Sequence, residues 1–196
     1  MEKRKVLITI LIMVLAISLL YGLIRVILGR QRRVNLDASL KYANILTEDL
    51  KDACTVASVE DEKIIYSDYA IVNCYFSSEK SEYNKASIEI DSNGIINEIT
   101  YYLKADTHRP RQYNIDKLNL NISKLSTALF STRLKLRHGD FVNINSISDS
   151  TKYVLSNMDY NKKYEIYENG SEYNYLILEY SKLYSEGINL IKYTIR

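Results

Sequence analysis

Tryptophan is missing from this chain of 196 residues, proline occurs once, at Pro110, and there are only six glycines, two histidines and two cysteines. Each scarcity removes a class of chemistry. The glycines, Gly22, Gly29, Gly94, Gly139, Gly170 and Gly187, are scattered singly. They form no G-x-G-x-x-G, no phosphate-binding loop ending in Gly-Lys and no G-x-S-x-G nucleophile turn. His108 and His138 stand far apart and belong to no H-E-x-x-H, which removes the zinc-hydrolase helix. Cys54 and Cys74 have no neighbouring histidine, a poor ligand set for zinc. No catalytic, cofactor-binding or metal-binding constellation is expected, and no cofactor.

What the chain has instead is one long uncharged run. Residues 6–24 read VLITILIMVLAISLLYGLI. At about 1.5 Å per residue this run matches the hydrocarbon thickness of a bilayer, which only a helix of this kind can cross. It is longer than the apolar core of a cleavable signal, and Arg25-Val26-Ile27-Leu28-Gly29-Arg30 offers no small-residue cleavage site. The reading is a short basic tail (1–5), an uncleaved single-pass anchor held in lipid (6–28), and a basic juxtamembrane stretch. Lys3, Arg4, Lys5 and the α-amino group on one flank balance Arg25, Arg30, Arg32 and Arg33 on the other, so the positive-inside rule gives no orientation. A five-residue tail followed by one large domain is the usual plan of exported bacterial proteins. The C-terminal domain is therefore expected outside the cytoplasm.

The formal net charge of +2 hides an asymmetry. Residues 1–33 carry seven Lys/Arg and one Glu, leaving nineteen Lys/Arg and twenty-three Asp/Glu in residues 34–196. The basic excess sits at the membrane surface, where Arg30, Arg32 and Arg33 meet lipid headgroups. A nucleic-acid partner would need a basic patch on the folded part, so none is expected. Tyrosine occurs 18 times, and it suits half-buried strands, with an apolar body and a wet hydroxyl. The abundance of Asn, Ile, Lys and Tyr suggests an AT-rich bacterial genome.

The expected fold class is α+β: a transmembrane helix continuing into an amphipathic helix (29–54), then mostly antiparallel strands with a second packed helix (55–196). Leu36, Leu40, Ala43, Leu46, Leu50 and Ala53 recur at helical spacing. Leu36, Leu40, Leu46 and Leu50 are the candidate face for a partner helix. Gly29 alone interrupts the two runs, so a single rod over 6–54 competes with a bend there. From 63 to 104 the period becomes two, and Asn93-Gly94 between alternating runs is a hairpin signal. A loop over 105–113 leads to a helix over 115–131 capped by Asn114. Strands are expected at 132–137 and 141–147 around His138-Gly139, a short helix near 150–158, and strands at 162–168, 173–182 and 188–195. The whole forms one domain, the alternative being two units split near 105–114. Cys54 and Cys74 are expected as two small buried hydrophobes, or as a disulfide if the domain is exported.

Three polar patterns are candidates for function. Glu48, Asp49 and Asp52 cluster on the amphipathic helix, where a solvated face is the plainer reading. Asp106 with His108, and His138 with Asp140, read as polar turns. Arg133-Leu134-Lys135-Leu136-Arg137 would line three cations about 7 Å apart on one face of a strand, a row suited to an anionic ligand, with Arg109 and Arg111 able to extend it.

Two family resemblances follow. A transmembrane-then-amphipathic helix before an antiparallel meander, over residues 6 to about 104, resembles type IV pilins and pseudopilins. That implies a subunit of a pilus-like or secretion assembly. The chain departs from the family pattern in having Lys5, not glycine, before Val6, and no Glu in the apolar run. The stretch Ala86-Ser87-Ile88-Glu89-Ile90-Asp91-Ser92-Asn93-Gly94-Ile95-Ile96 resembles the strand–turn–strand of PepSY-type extracytoplasmic domains, which implies a sensor or regulatory ectodomain. The function expected first is a non-enzymatic, membrane-anchored interaction component of an envelope machine (secretion, conjugation or pilus-like), partnered by other envelope proteins. The alternative is an ectodomain binding an anionic ligand through Arg133, Lys135 and Arg137.

Overall fold

The computed structural model describes residues 2–60, 68–78, 80–81, 83–132, 134–137, 146–160, 162–167, 174–181 and 188–195. It begins with one unbroken helix, α1 (Glu2–Asp49). A helix of this length measures about 72 Å. It continues unbroken through Gly29, as the single-rod reading expects. The helix stops five residues short of the expected end. A tight turn closes it, in which the Ala53 and Cys54 N–H groups both donate to the Leu50 carbonyl at 3.0 Å.

Eight strands among the described residues join in one sheet. They are β1 (Val56–Val59), β2 (Tyr69–Tyr75), β3 (Asn84–Asp91), β4 (Ile95–Lys104), β5 (Lys135–Leu136), β6 (Tyr164–Tyr167), β7 (Asn174–Ser181) and β8 (Ile188–Ile195). The order across the sheet is β1-β2-β3-β4-β8-β7-β6, with β5 beside β4. Two antiparallel meanders are thus sewn together where β8 pairs with β4, from Ile99 opposite Ile195 to Lys104 opposite Leu190. The β3–β4 turn is the expected hairpin. Gly94 adopts φ 75°, a conformation cheap only for glycine, and Asp91 Oδ1 accepts the N–H groups of Asn93 (2.8 Å) and Ile95 (3.0 Å).

Alternation puts one apolar set on one face. Val72, Ile88, Ile99 and Ile195 align across four strands, and so do Cys74, Ala86, Tyr101 and Tyr193. All are buried. The helices cover this face. The distal part of α1 presses Ala43, Leu46 and Leu50 into the same core, and α2 (Arg111–Ser131) adds Ile115, Leu118, Ile122, Leu125 and Leu129. A shorter helix, α3 (Asp149–Asn157), is capped by Ser148, whose hydroxyl accepts the Thr151 N–H at 3.2 Å.

Four expectations need correction. The cysteines pair: Cys54 is bonded to Cys74 across a Cα–Cα distance of 5.4 Å, because the turn after α1 sets Cys54 beside the inward-facing side of β2. Helix α2 starts four residues early, after Pro110, whose ring already holds a helix-compatible φ. Asn114 is therefore no cap but a buried bracket. Its Oδ1 accepts the Asp106 N–H (2.9 Å), and its Nδ2 donates to the Asp106 carbonyl (3.1 Å) and to the Tyr160 hydroxyl (2.9 Å). The strand expected over 132–137 shrinks to Lys135–Leu136 and runs parallel to β4, since β8 already occupies the rest of that β4 edge. Its expected partner strand is outside the described residues at 141–145, as is the His138-Gly139 turn, and Ser146 and Ile147 are not strand.

Candidate functional site

Helix α1 has two environments. One N-terminal helix of the chain is long and apolar enough to cross a membrane, and its apolar window has no part buried in the protein. Arg30, Arg32 and Arg33 follow this window and are exposed. Further on, Leu36 and Leu40 are half-buried, and Leu46 and Leu50 are fully covered. At Leu40, Leu46 and Leu50 the face expected to receive a partner helix packs instead into the chain's own core, under β1, β2 and β3. The physical reason is proximity: the apolar sheet face must be covered, and the amphipathic end of α1 is the nearest element that can cover it.

The basic row survives in part. Arg133 lies outside the described residues. Lys135 and Arg137 point to solvent, while Leu134 is half-buried and Leu136 buried, the alternation expected of a strand. The Arg137 backbone N–H donates to the Ile96 carbonyl at 2.9 Å, and its guanidinium reaches Asn97 Oδ1 at 3.5 Å. Arg109 and Arg111 do not extend the row. The Arg109 guanidinium sits over the Tyr113 ring. Arg111 covers the Tyr160 ring and donates to the Ser156 carbonyl at 3.0 Å.

Two contacts locate the basic pair along α1. Ser39 Oγ donates to the Asp68 carbonyl at 3.0 Å, just before β2. The Tyr42 ring lies against Gly94 in the β3–β4 turn. Since Lys135 pairs opposite Ile95, the residue after Gly94, the pair belongs to the end of the sheet nearest the uncovered half of α1. The disulfide marks the far end.

The sheet face turned away from the described helices was not foreseen as a unit. Register aligns Tyr75, Lys85, Tyr102 and Lys192 in a row across four strands. Lys85 Nζ lies 5.9 Å from the Tyr75 ring centre and 5.6 Å from that of Tyr102, and Lys192 Nζ lies 5.7 Å from Tyr102. This is a ladder of cation–π contacts. Beside it run Asn73, Ser87, Thr100 and Thr194. The Ser87 hydroxyl donates to Asn73 Oδ1 at 2.7 Å, and the Thr100 and Thr194 hydroxyls are 3.0 Å apart. A third row carries Glu89 opposite Glu98. Partial burial, then these two carboxylates, push the Tyr69 phenol above its ordinary pKa. The two-residue alternation along the strands was legible. Which strands lie side by side was not.

The remaining polar groups are ordinary. Glu48 pairs with Lys51 at the surface. Asp49 and Asp52 line one rim of an open cleft of about 480 Å³, with Ser123, Lys124 and Thr127 of α2 on the other. Among the described residues no three His, Cys, Asp or Glu side chains converge to hold a metal ion. His108 is exposed, and its N–H is held by the Asp106 carboxylate at 3.0 Å, a local turn. Tyr101 is buried in the core with no regular hydrogen bond to its hydroxyl. Burial raises its pKa strongly, against a small opposing pull from Ser126.

Comparison of the chain with protein families, with curated proteins and with solved structures finds no match.

Proposed function

We propose that this chain is a single-pass membrane protein whose folded domain stands outside the cytoplasm and serves as a non-enzymatic interaction component of a bacterial envelope assembly. The observation that carries the reading is the shared helix. One rod supplies both an uncovered apolar window and the Leu46 and Leu50 anchors of the domain core. An anchor that merely tethered a domain would need only a flexible linker. A continuous helix sets the height and direction of the domain over the bilayer, which suits a part that must meet other parts in register. The Cys54–Cys74 bond supports the outward orientation, because such bonds persist in oxidising compartments and are rare in the bacterial cytosol.

Protease added to intact spheroplasts tests the reading. The domain is expected to be cut from outside while the sedimented membrane fraction retains the N-terminal fragment, and mild-detergent extracts are expected to run above the mass of one 22.8 kDa chain in its micelle. Full-length protein free in solution without detergent would overturn the anchoring. Protection from outside would overturn the orientation, and a monomer in mild detergent would overturn the assembly role.

A further inference from the structure

We propose that the bilayer-facing end of the domain binds anionic lipid headgroups of its own membrane through Lys135 and Arg137, so that the domain is oriented by two points of contact, not one. The inference rests on the anchoring proposed above. From Leu28, the end of the apolar stretch, to Ser39, where the domain first closes on α1, the helix rises about 16 Å. The headgroup layer occupies roughly 5–8 Å of that rise. The floor of the domain is left about 10 Å above the lipid surface, close to one Debye length at physiological salt. Helix tilt of the usual size (roughly 20°) brings one side of that floor closer still.

The floor is built from the β3–β4 turn and β5, tied to Tyr42 and Ser39 as described. Two outward cations stand at its β5 side. Arg30, Arg32 and Arg33 rise from the bilayer on α1, Lys41 lies about two turns above Arg33, and Lys135 in β5 and Arg137 just after it point outward, all exposed. Opposing them among the described residues are Asp37, Asp68, Asp91 and, beside Arg137, Glu89, whose carboxylate accepts from the Asn97 amide that Arg137 reaches. Of these, Asp91 commits one carboxylate oxygen to two backbone N–H groups of the turn. The described floor has no basic excess of its own; the surplus of positive charge is supplied by Arg30, Arg32 and Arg33 of α1, next to the lipid. Leu134 and Leu136, turned inward, fix the two cations outward by packing. The row that the sequence marks as suited to an anionic ligand therefore lies where a charged surface is already present at high local concentration.

A fluorescent amino acid placed at exposed Asn93, in full-length protein reconstituted into vesicles, reads the height of the floor through quenching by lipids labelled at the headgroup. Wild type is expected to show roughly twice the quenching in phosphatidylcholine–phosphatidylglycerol vesicles as in pure phosphatidylcholine, a difference that high salt removes. K135E/R137E is expected to lose that lipid dependence, and K135R/R137K to keep it. The arginines of α1 are unchanged in every arm and cannot account for the contrast. Equal quenching of wild type in both vesicles, or an unaltered response in K135E/R137E, overturns the proposal while the protein still floats with the vesicles. Wild type that fails to float with either vesicle overturns the anchoring and this proposal together.

Discussion

Both halves of α1 carry leucines, and those leucines meet opposite fates. Leu19 and Leu20 are 66% and 59% exposed, and Leu46 and Leu50 are 0% exposed. The presence of leucine does not separate them; the charged residues between the leucines do. In residues 6–24 apolar side chains surround the helix, and a helix apolar on all sides has no polar face to give to water. From Leu36 onward charged residues fall between the leucines, leaving one stripe, and a stripe is satisfied by a single sheet face. Backbone hydrogen bonding is continuous through both halves, so one helix can serve lipid and protein without a joint.

Truncation should separate the halves most sharply. Leu46→Ala is expected to cost about 2–5 kcal/mol in denaturant unfolding of the detergent-solubilised domain, because it leaves a cavity under the sheet. Leu19→Ala is expected to stay within about 0.5 kcal/mol in the same assay. If both variants unfolded alike, the division of the helix would be lost. Replacing Leu46 or Leu50 by polar residues is accordingly a test of folding and not of partner binding.

The junction between the halves and the sheet is the next place to press. The Cys54–Cys74 bond closes a loop with a sequence separation of 20, for which chain entropy suggests about 3 kcal/mol. C54S/C74S is expected to lower the unfolding free energy by about 2–4 kcal/mol. The apparent helix content of the lipid half should be unchanged by circular dichroism. A loss that spread to the lipid half would mean the rod depends on the clamp.

The smallest contrast uses two glycines. Gly29 lies in open space on the rod, and Gly29→Ala is expected to stabilise the helix by up to about 1 kcal/mol. Gly94 adopts φ +75°, and an added Cβ would meet the Tyr42 ring at 3.0 Å. Gly94→Ala is expected to cost about 1–2 kcal/mol and to loosen the turn against α1, read as faster hydrogen exchange at Asn93 and Ile95. Opposite signs sharpen the comparison. Equal signs would mean that Gly94 is not held by the core.

Several features were readable from local pattern, others were not. The Asn93-Gly94 turn announced itself because positive φ is a property of one residue in one position. The inward set Val72, Ile88 and Ile99 followed from alternation. The candidate partner face failed because periodicity tells which side of a helix is apolar and says nothing about what covers it. The strand carrying the basic row came out shorter than expected for a similar reason: the length of β5 is set by how much of the β4 edge β8 leaves vacant, at Ile95 and Ile96. Asn114 looked like a cap because capping residues and loop-bracing residues are the same types. The lysine–tyrosine ladder needed four strands in register, from β2 to β8.

By itself the sequence determined the uncharged run long enough for a bilayer, the striped continuation of the same helix, the hairpin at Gly94 and the α+β class. Each depends on residues within a few positions of one another, where dihedral preference and side-chain period act directly. Only the tertiary structure decided that Cys54 meets Cys74, that β8 joins β4, that α1 covers its own sheet, and that Lys135 and Arg137 lie at the end nearest the apolar window. Those are contacts between distant parts of the chain. They are chosen by competition among apolar surfaces for one core, a free-energy comparison that no local window contains.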